Sequence, residues 1–136
     1  MSTIQYFIKN IDKIIDLTIE HVELIGVAMF LALLLWITTG ILIRKQAKVA
    51  GGVLSVASII MSIPSISIYG LLVAVPGFGL SRKSAVIALV LYAMLPIVRN
   101  VYVALNEVDS SIIEAARGMG MPERQVLLKV QLPLAF

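Results

Sequence analysis

The chain has 136 residues, 60% of them hydrophobic and 14% charged, with a mean hydropathy of +1.00. Soluble domains run at about 45–50% apolar and about 25% charged, so lipid is the expected solvent for a chain this short and this apolar. The absence of cysteine excludes disulfides and thiol chemistry, and the net charge of +3 sits in short clusters between apolar runs, not on one face suited to nucleic acid.

The first segment, residues 1–21, places Ile4, Phe7, Ile8, Ile11, Ile14, Ile15 and Ile19 at helical spacing. Lys9, Asp12, Lys13, Asp16 and Glu20 fall opposite them. This pattern predicts an amphipathic helix lying in the membrane interface. His21, the single histidine, has no second His or Cys with which to hold a metal and reads as an interfacial polar residue. The long apolar run begins only near Val22, is too long for the h-region of a signal sequence and is preceded by acidic as well as basic residues, so it reads as a retained span.

Three spans are expected within residues 22–105, at about 22–43, 52–75 and 84–103. The first covers about 33 Å and is followed at once by Arg44, Lys45 and Lys48, a basic stop that belongs on the cytoplasmic side. Pro64 lies near the middle of the second, where it frees the Ile60 carbonyl and kinks the helix. Ser62, Ser65 and Ser67 are placed to satisfy freed backbone groups, and Gly70 to permit close helix contact. Pro76, Gly77, Phe78 and Gly79 mark a turn. The third span is interrupted by Pro96 and polarised by Arg99 and Asn100, its purely apolar stretch from Ala85 to Val98 covering about 21 Å. Arg99 therefore snorkels to the interface, or else faces an aqueous path. Pro64, Pro96, Arg99 and Asn100 are the candidates for structural kinks or for a translocation path.

The basic residues give an orientation. Arg44, Lys45, Lys48, Arg99, Arg117, Arg124 and Lys129 lie on one side of this topology, and Lys9, Lys13, Arg82 and Lys83 on the other. The excess places the N-terminus outside and everything after the third span in the cytoplasm.

Past the third span, residues 107–131 mix Glu107, Asp109, Glu114, Arg117, Glu123, Arg124 and Lys129 with small and apolar residues. Asp109 and Ser110 suit the N-cap of a helix from about Ser111 to Met119. Gly118 and Gly120 suit its end, and Pro122 can open the next helix. Two short amphipathic helices joined by a glycine turn make a docking element for a partner groove.

Glu114-Ala115-Ala116, Gly120 after three further residues, Val130 after nine more, then Leu132-Pro133 together resemble the EAA loop of binding-protein-dependent ABC importer permeases. The one departure is Val130, where isoleucine is usual. The stretches IPSISIYGLLVAVPGFGL (63–80) and LYAMLPIVRNVYVALNEVDSSIIEAARGMGM (91–121) resemble the osmoprotectant and quaternary-amine branch, whose members import glycine betaine, carnitine or choline.

The resemblance implies an all-α, polytopic transmembrane bundle of the type I ABC importer permease kind, in a bacterial plasma membrane. It implies that residues 106–136 hold the coupling helices, with Glu114, Ala115, Ala116 and Gly120 as the contact core. It further implies three partners: an ABC ATPase subunit, a second permease subunit (the same or homologous) and an extracytoplasmic substrate-binding protein. ATP is then used by the ATPase partner, the chain itself needs no cofactor, and the aromatic cage for a quaternary ammonium lies in the binding protein. Two further spans follow the loop in that family, so the chain is expected to be a fragment or a truncated product.

The sequence contains no GxxxxGK[ST] loop and no convincing Ser/His/Asp or paired-carboxylate constellation, so it is not read as an enzyme. The alternatives are a permease for another small solute such as an amino acid, a membrane scaffold with the loop as adaptor, and a secondary transporter. The last would call for ion-coupled sites in broken helices, and the one acidic residue within a predicted span, Glu23, sits at the very start of the first. Gly120→Asp is expected to break coupling without preventing membrane insertion.

Overall fold

The computed structural model describes residues 8–135, all helical or connecting, with no strand among them. Ile4, Phe7 and Phe136 of the predicted segments lie outside the described residues. Helix α1 spans Ile11–Ile43, α2 Ala47–Ser62, α3 Ser65–Ala74, α4 Arg82–Tyr92 and α5 Met94–Glu107. Helices α6 (Ser110–Gly118) and α7 (Glu123–Val126) follow, then a π-helical turn at Leu127–Gln131 and α8 (Leu132–Ala135).

The predicted interfacial helix is not a separate element. From Ile11, after a turn at Asn10, it runs without a break into the first span, as α1. No proline falls between Ile11 and Ile43, so nothing stops the helix at His21. The uncharged part, Leu24 to Ile43, is about 30 Å long, the thickness of a hydrocarbon core. Charged contacts mark its two ends. Arg82 Nη2 donates to Glu23 Oε2 at 3.1 Å at one end, and Lys45 pairs with Glu123 at the other.

One stripe of α1 forms the core. Ala28, Ala32, Gly40 and Ile43 are buried, with the partly buried Trp36 in the same register, and the helix packs on α4 and α5. Small residues every four positions let backbones approach, which is how helices associate where lipid offers no hydrophobic driving force. At Gly40 the approach is closest: a Cβ there would stand 2.7 Å from Val101 Cγ1. The Trp36 indole donates to the Val90 carbonyl at 2.7 Å, a good partner for a polar group within a span. The other side of α1 shows Phe30, Leu34 and Leu42 to the exterior.

The second predicted span is broken rather than kinked. Helices α2 and α3 meet at 90°, and neither alone is long enough to cross a membrane. The pre-proline residue Ile63 is extended (φ −80°, ψ 132°), as the ring of Pro64 requires, and α2 ends before it. The Ile60 carbonyl is taken by the Ile63 N–H at 3.2 Å, while the Ser62 hydroxyl donates to Ile59. The Tyr92 hydroxyl, from the end of α4, donates to the Ile63 carbonyl and more distantly to Met61 at 3.4 Å. Gly70 makes no close helix contact, since nothing lies within 4 Å of where its Cβ would be. The glycine that does so is Gly40.

The third span is Arg82–Glu107, longer than expected and interrupted only at Ala93. The interruption follows from Pro96, which cannot donate to the Tyr92 carbonyl four residues earlier. The turn before α4 is anchored by buried Ser84, whose hydroxyl donates to the Gly79 carbonyl at 2.8 Å.

Candidate coupling loop

Helix α6 begins where the residue pattern places it. The Asp109 carboxylate accepts the Ser111 N–H at 2.8 Å, and that bond holds its pKa below the ordinary aspartate value. The helix ends at a Schellman turn built on Gly120, which has φ +82°. The Met121 N–H reaches the Ala116 carbonyl at 3.2 Å, and the Gly120 N–H reaches Arg117 at 2.9 Å. Both bonds need the left-handed residue between them, a conformation disfavoured for any side chain with a Cβ.

After the turn, Pro122 caps α7 rather than occupying its first helical position, its carbonyl accepting from Gln125 and Val126. The rod continues through the π turn, where the Leu132 N–H bonds to the Leu127 carbonyl. Pro133 explains that turn: it has no N–H, and its ring displaces the backbone of the preceding turn. The rod returns to α5 through α8.

The residues of the motif divide into two sets. Ala116 is buried, as is Val126 on the facing helix, while Val130 and Leu132 are partly buried. Glu114, Ala115, Gly120 and Pro133 are exposed. Ala116 thus packs the hairpin together, and Ala115 faces out. Beside it stand Ile112 and Met119, exposed at 43% and 75%, which with Ala115 form an apolar stripe at i, i+3 and i+7. Sequence reasoning did not single out Ile112 or Met119, although their helical spacing was visible.

It also missed Glu123. This carboxylate pairs with Lys45 and accepts from Arg117 Nε at 2.8 Å. The Lys45 bond, then that from Arg117, lowers its pKa below the ordinary glutamate range. Glu123 therefore ties the turn after α1 to both helices of the hairpin, and puts residues 44–46 and the loop at one end of the bundle. The six-residue spacing of Arg117 and Glu123 across the glycine turn was the available signal.

The proposed path residues fall on two elements. Pro64 lies at the α2–α3 break, next to the Tyr92 hydroxyl bond, and Pro96 ends the hydrogen-bonding of Tyr92 from the other side. One tyrosine thus links the two proline-made interruptions. Pro96, Arg99 and Asn100 are exposed on α5.

These elements define an α-helical membrane component that carries a structured loop at one end. The family described as "Binding-protein-dependent transport system inner membrane component" matches residues 36–136, and the chain belongs to that family. It is 37% identical, over its whole length, to the Osmoprotectant import permease protein OsmW of Salmonella typhimurium. It is 34% identical over 96% of its length to the Carnitine transport permease protein OpuCB of Listeria monocytogenes. It is 30% identical over 97% of its length to the Choline transport system permease protein OpuBB of Bacillus subtilis. The chain spans 65%, 59% and 60% of these three relatives.

Proposed function

We propose that this chain is the translocating part of an ATP-driven importer for quaternary-amine osmoprotectants, and that residues 110–126 couple it to a separate ATPase subunit. The observation that carries this reading is the hairpin itself. Its turn is fixed by Gly120, its base is tied to α1 through Glu123 and Lys45, and it leaves Ile112, Ala115 and Met119 outward for a partner groove. A rigid element joined to a span can pass a partner's movement into the membrane, whereas a floppy one cannot. The loop lies in the cytoplasm and the N-terminus outside in this reading. A second permease subunit completes the path, an external binding protein delivers the solute, and ATP is hydrolysed only by the partner. The names of the relatives support carnitine and choline as the solutes to try, and the sequence resemblance adds glycine betaine.

The test is uptake of radiolabelled glycine betaine, carnitine and choline in membranes that also contain the ATPase and the binding protein. ATP-dependent uptake of one of them, lost on Gly120→Val but kept on Gly120→Asn, is the expected result. Valine is β-branched and resists the left-handed conformation that asparagine tolerates. Uptake unchanged in Gly120→Val would remove the loop from the coupling path.

A further inference from the structure

We infer that the end of the bundle bearing the loop holds a binding site for the phosphate of an anionic phospholipid headgroup, centred on Arg44. A cavity of about 400 Å³ opens there between the turn after α1, the end of α5 and the hairpin. Arg44, Lys45 and Arg117 line it, together with Tyr102, Asn106 and Gln131, and no carboxylate does. Of its three cations, Lys45 and Arg117 pair with Glu123, and no ion pair among the described residues takes Arg44.

Arg44 is the exceptional residue. One guanidinium nitrogen, Nη1, donates to the Ile41 carbonyl at 2.7 Å. Its Nε is buried and has no hydrogen-bond partner among the described residues. A buried donor on a charged group is costly to leave unmatched. The covered Nε is out of a phosphate's reach, so the contact falls to Nη2, the terminal nitrogen not engaged by the Ile41 carbonyl and a strong charged donor to a phosphate oxygen.

Depth selects the source of that phosphate. Arg44 follows directly on the uncharged stretch that ends at Ile43, so it stands at headgroup level. Tyr102 and Asn106 belong to the span that ends at Glu107, which puts the cavity at the end of the spans and not out on the Ile112–Met119 surface. Basic pockets between spans at this level are where anionic headgroups bind. This site is independent of the transport reading, because it needs neither solute nor ATPase.

Trp36 provides the measurement. It is the sole tryptophan, and it lies eight residues before Arg44, about 12 Å deeper, close to the middle of a lipid chain held by its headgroup at Arg44. The full chain would be reconstituted in mixed phosphatidylcholine and phosphatidylglycerol vesicles, with dibrominated chains on one lipid at a time. Brominated phosphatidylglycerol is expected to quench Trp36 with about a fivefold binding preference over phosphatidylcholine, the effect of about one well-placed charge.

Arg44→Gln should abolish that preference and Arg117→Gln should reduce it, with the Trp36 emission maximum unchanged as the check on folding. Lys48→Gln, at the same end but outside the cavity, should leave it intact. Equal quenching by the two lipids overturns the proposal, as does an equal loss in Lys48→Gln, which means diffuse surface charge. Displacement by inorganic phosphate at constant ionic strength would assign the site to a free anion and overturn the lipid assignment.

Discussion

The spans and the loop are stabilised by opposite means. Between α1, α4 and α5 the contacts are apolar and close, made by Ala28, Ala32, Gly40, Val98 and Val101, and no charge lies among them. The hairpin buries few side chains, chiefly Ala116 and Val126, and depends instead on a capped start, a glycine turn and the paired Glu123. The difference follows from the solvents. In lipid, exposed backbone and charge are costly and packing decides; at an aqueous end, turn geometry and ion pairs can set the shape. A defect in packing should therefore disturb the whole bundle, and a defect in the turn should stay local.

The largest expected effect is at the closest helix contact. Gly40→Val puts a side chain where Val101 already stands, and should cost about 3 kcal/mol, the upper range for overpacking. Unfolding in mixed detergent, monitored through Trp36, measures it. The cycle with Val101→Ala should return a large part of the loss, because only the shared contact is relieved. Additive losses would mean that the close approach does not govern the α1–α5 contact.

Next comes the tyrosine that joins the two proline interruptions. Tyr92→Phe leaves the Ile63 carbonyl without its hydroxyl donor, at a cost of about 2 kcal/mol in surroundings that offer little water. Amide hydrogen exchange should quicken around the α2–α3 break and little elsewhere. Uniform quickening would show that the phenol supports the bundle as a whole.

Much of this was legible in the residues. The apolar runs located α1, α4 and α5, and the Glu114–Pro133 spacing located the hairpin and its Gly120 turn. The continuity of α1 past His21 was not legible. A polar face reads the same whether a helix lies on a membrane or projects beyond it. The 90° break at Pro64 was read as a kink because proline alone does not set an angle; Tyr92, far away in sequence, stabilises the break. Gly70 drew attention over Gly40 because a glycine's role depends on what faces it, and Val101 is sixty-one positions away from Gly40. The role of Glu123 was missed for the same reason, its Lys45 partner lying in another turn.

A smaller effect belongs to the glycine turn. Gly120→Ala has room for the new methyl, since nothing lies within 4 Å of it, so its cost is conformational and about 1 kcal/mol. Gly120→Asn should cost less. Exchange protection should fall at Gly120 and Met121, whose N–H groups close the turn, and remain unchanged in α1 and α5. Loss of protection in the spans would contradict the separation of the two regions.

The smallest effect is expected at Glu123. Its side chain is half exposed, as are those of Lys45 and Arg117, so solvent and salt screen both pairs. Glu123→Gln should leave the unfolding midpoint almost unmoved, yet loosen the hairpin from the turn at 44–46. A distance probe between those segments should report the change. The pH dependence has a fixed sign. A carboxylate whose folded pKa is lowered stabilises the fold above its unfolded pKa, and that contribution is lost as pH falls through the folded value. The tie is therefore fully formed at neutral pH and opens only in acid, below the ordinary glutamate range. Raised salt at neutral pH should weaken it in the wild type and have no such effect in Glu123→Gln. An equal salt response in both would show that the loop is attached by other contacts.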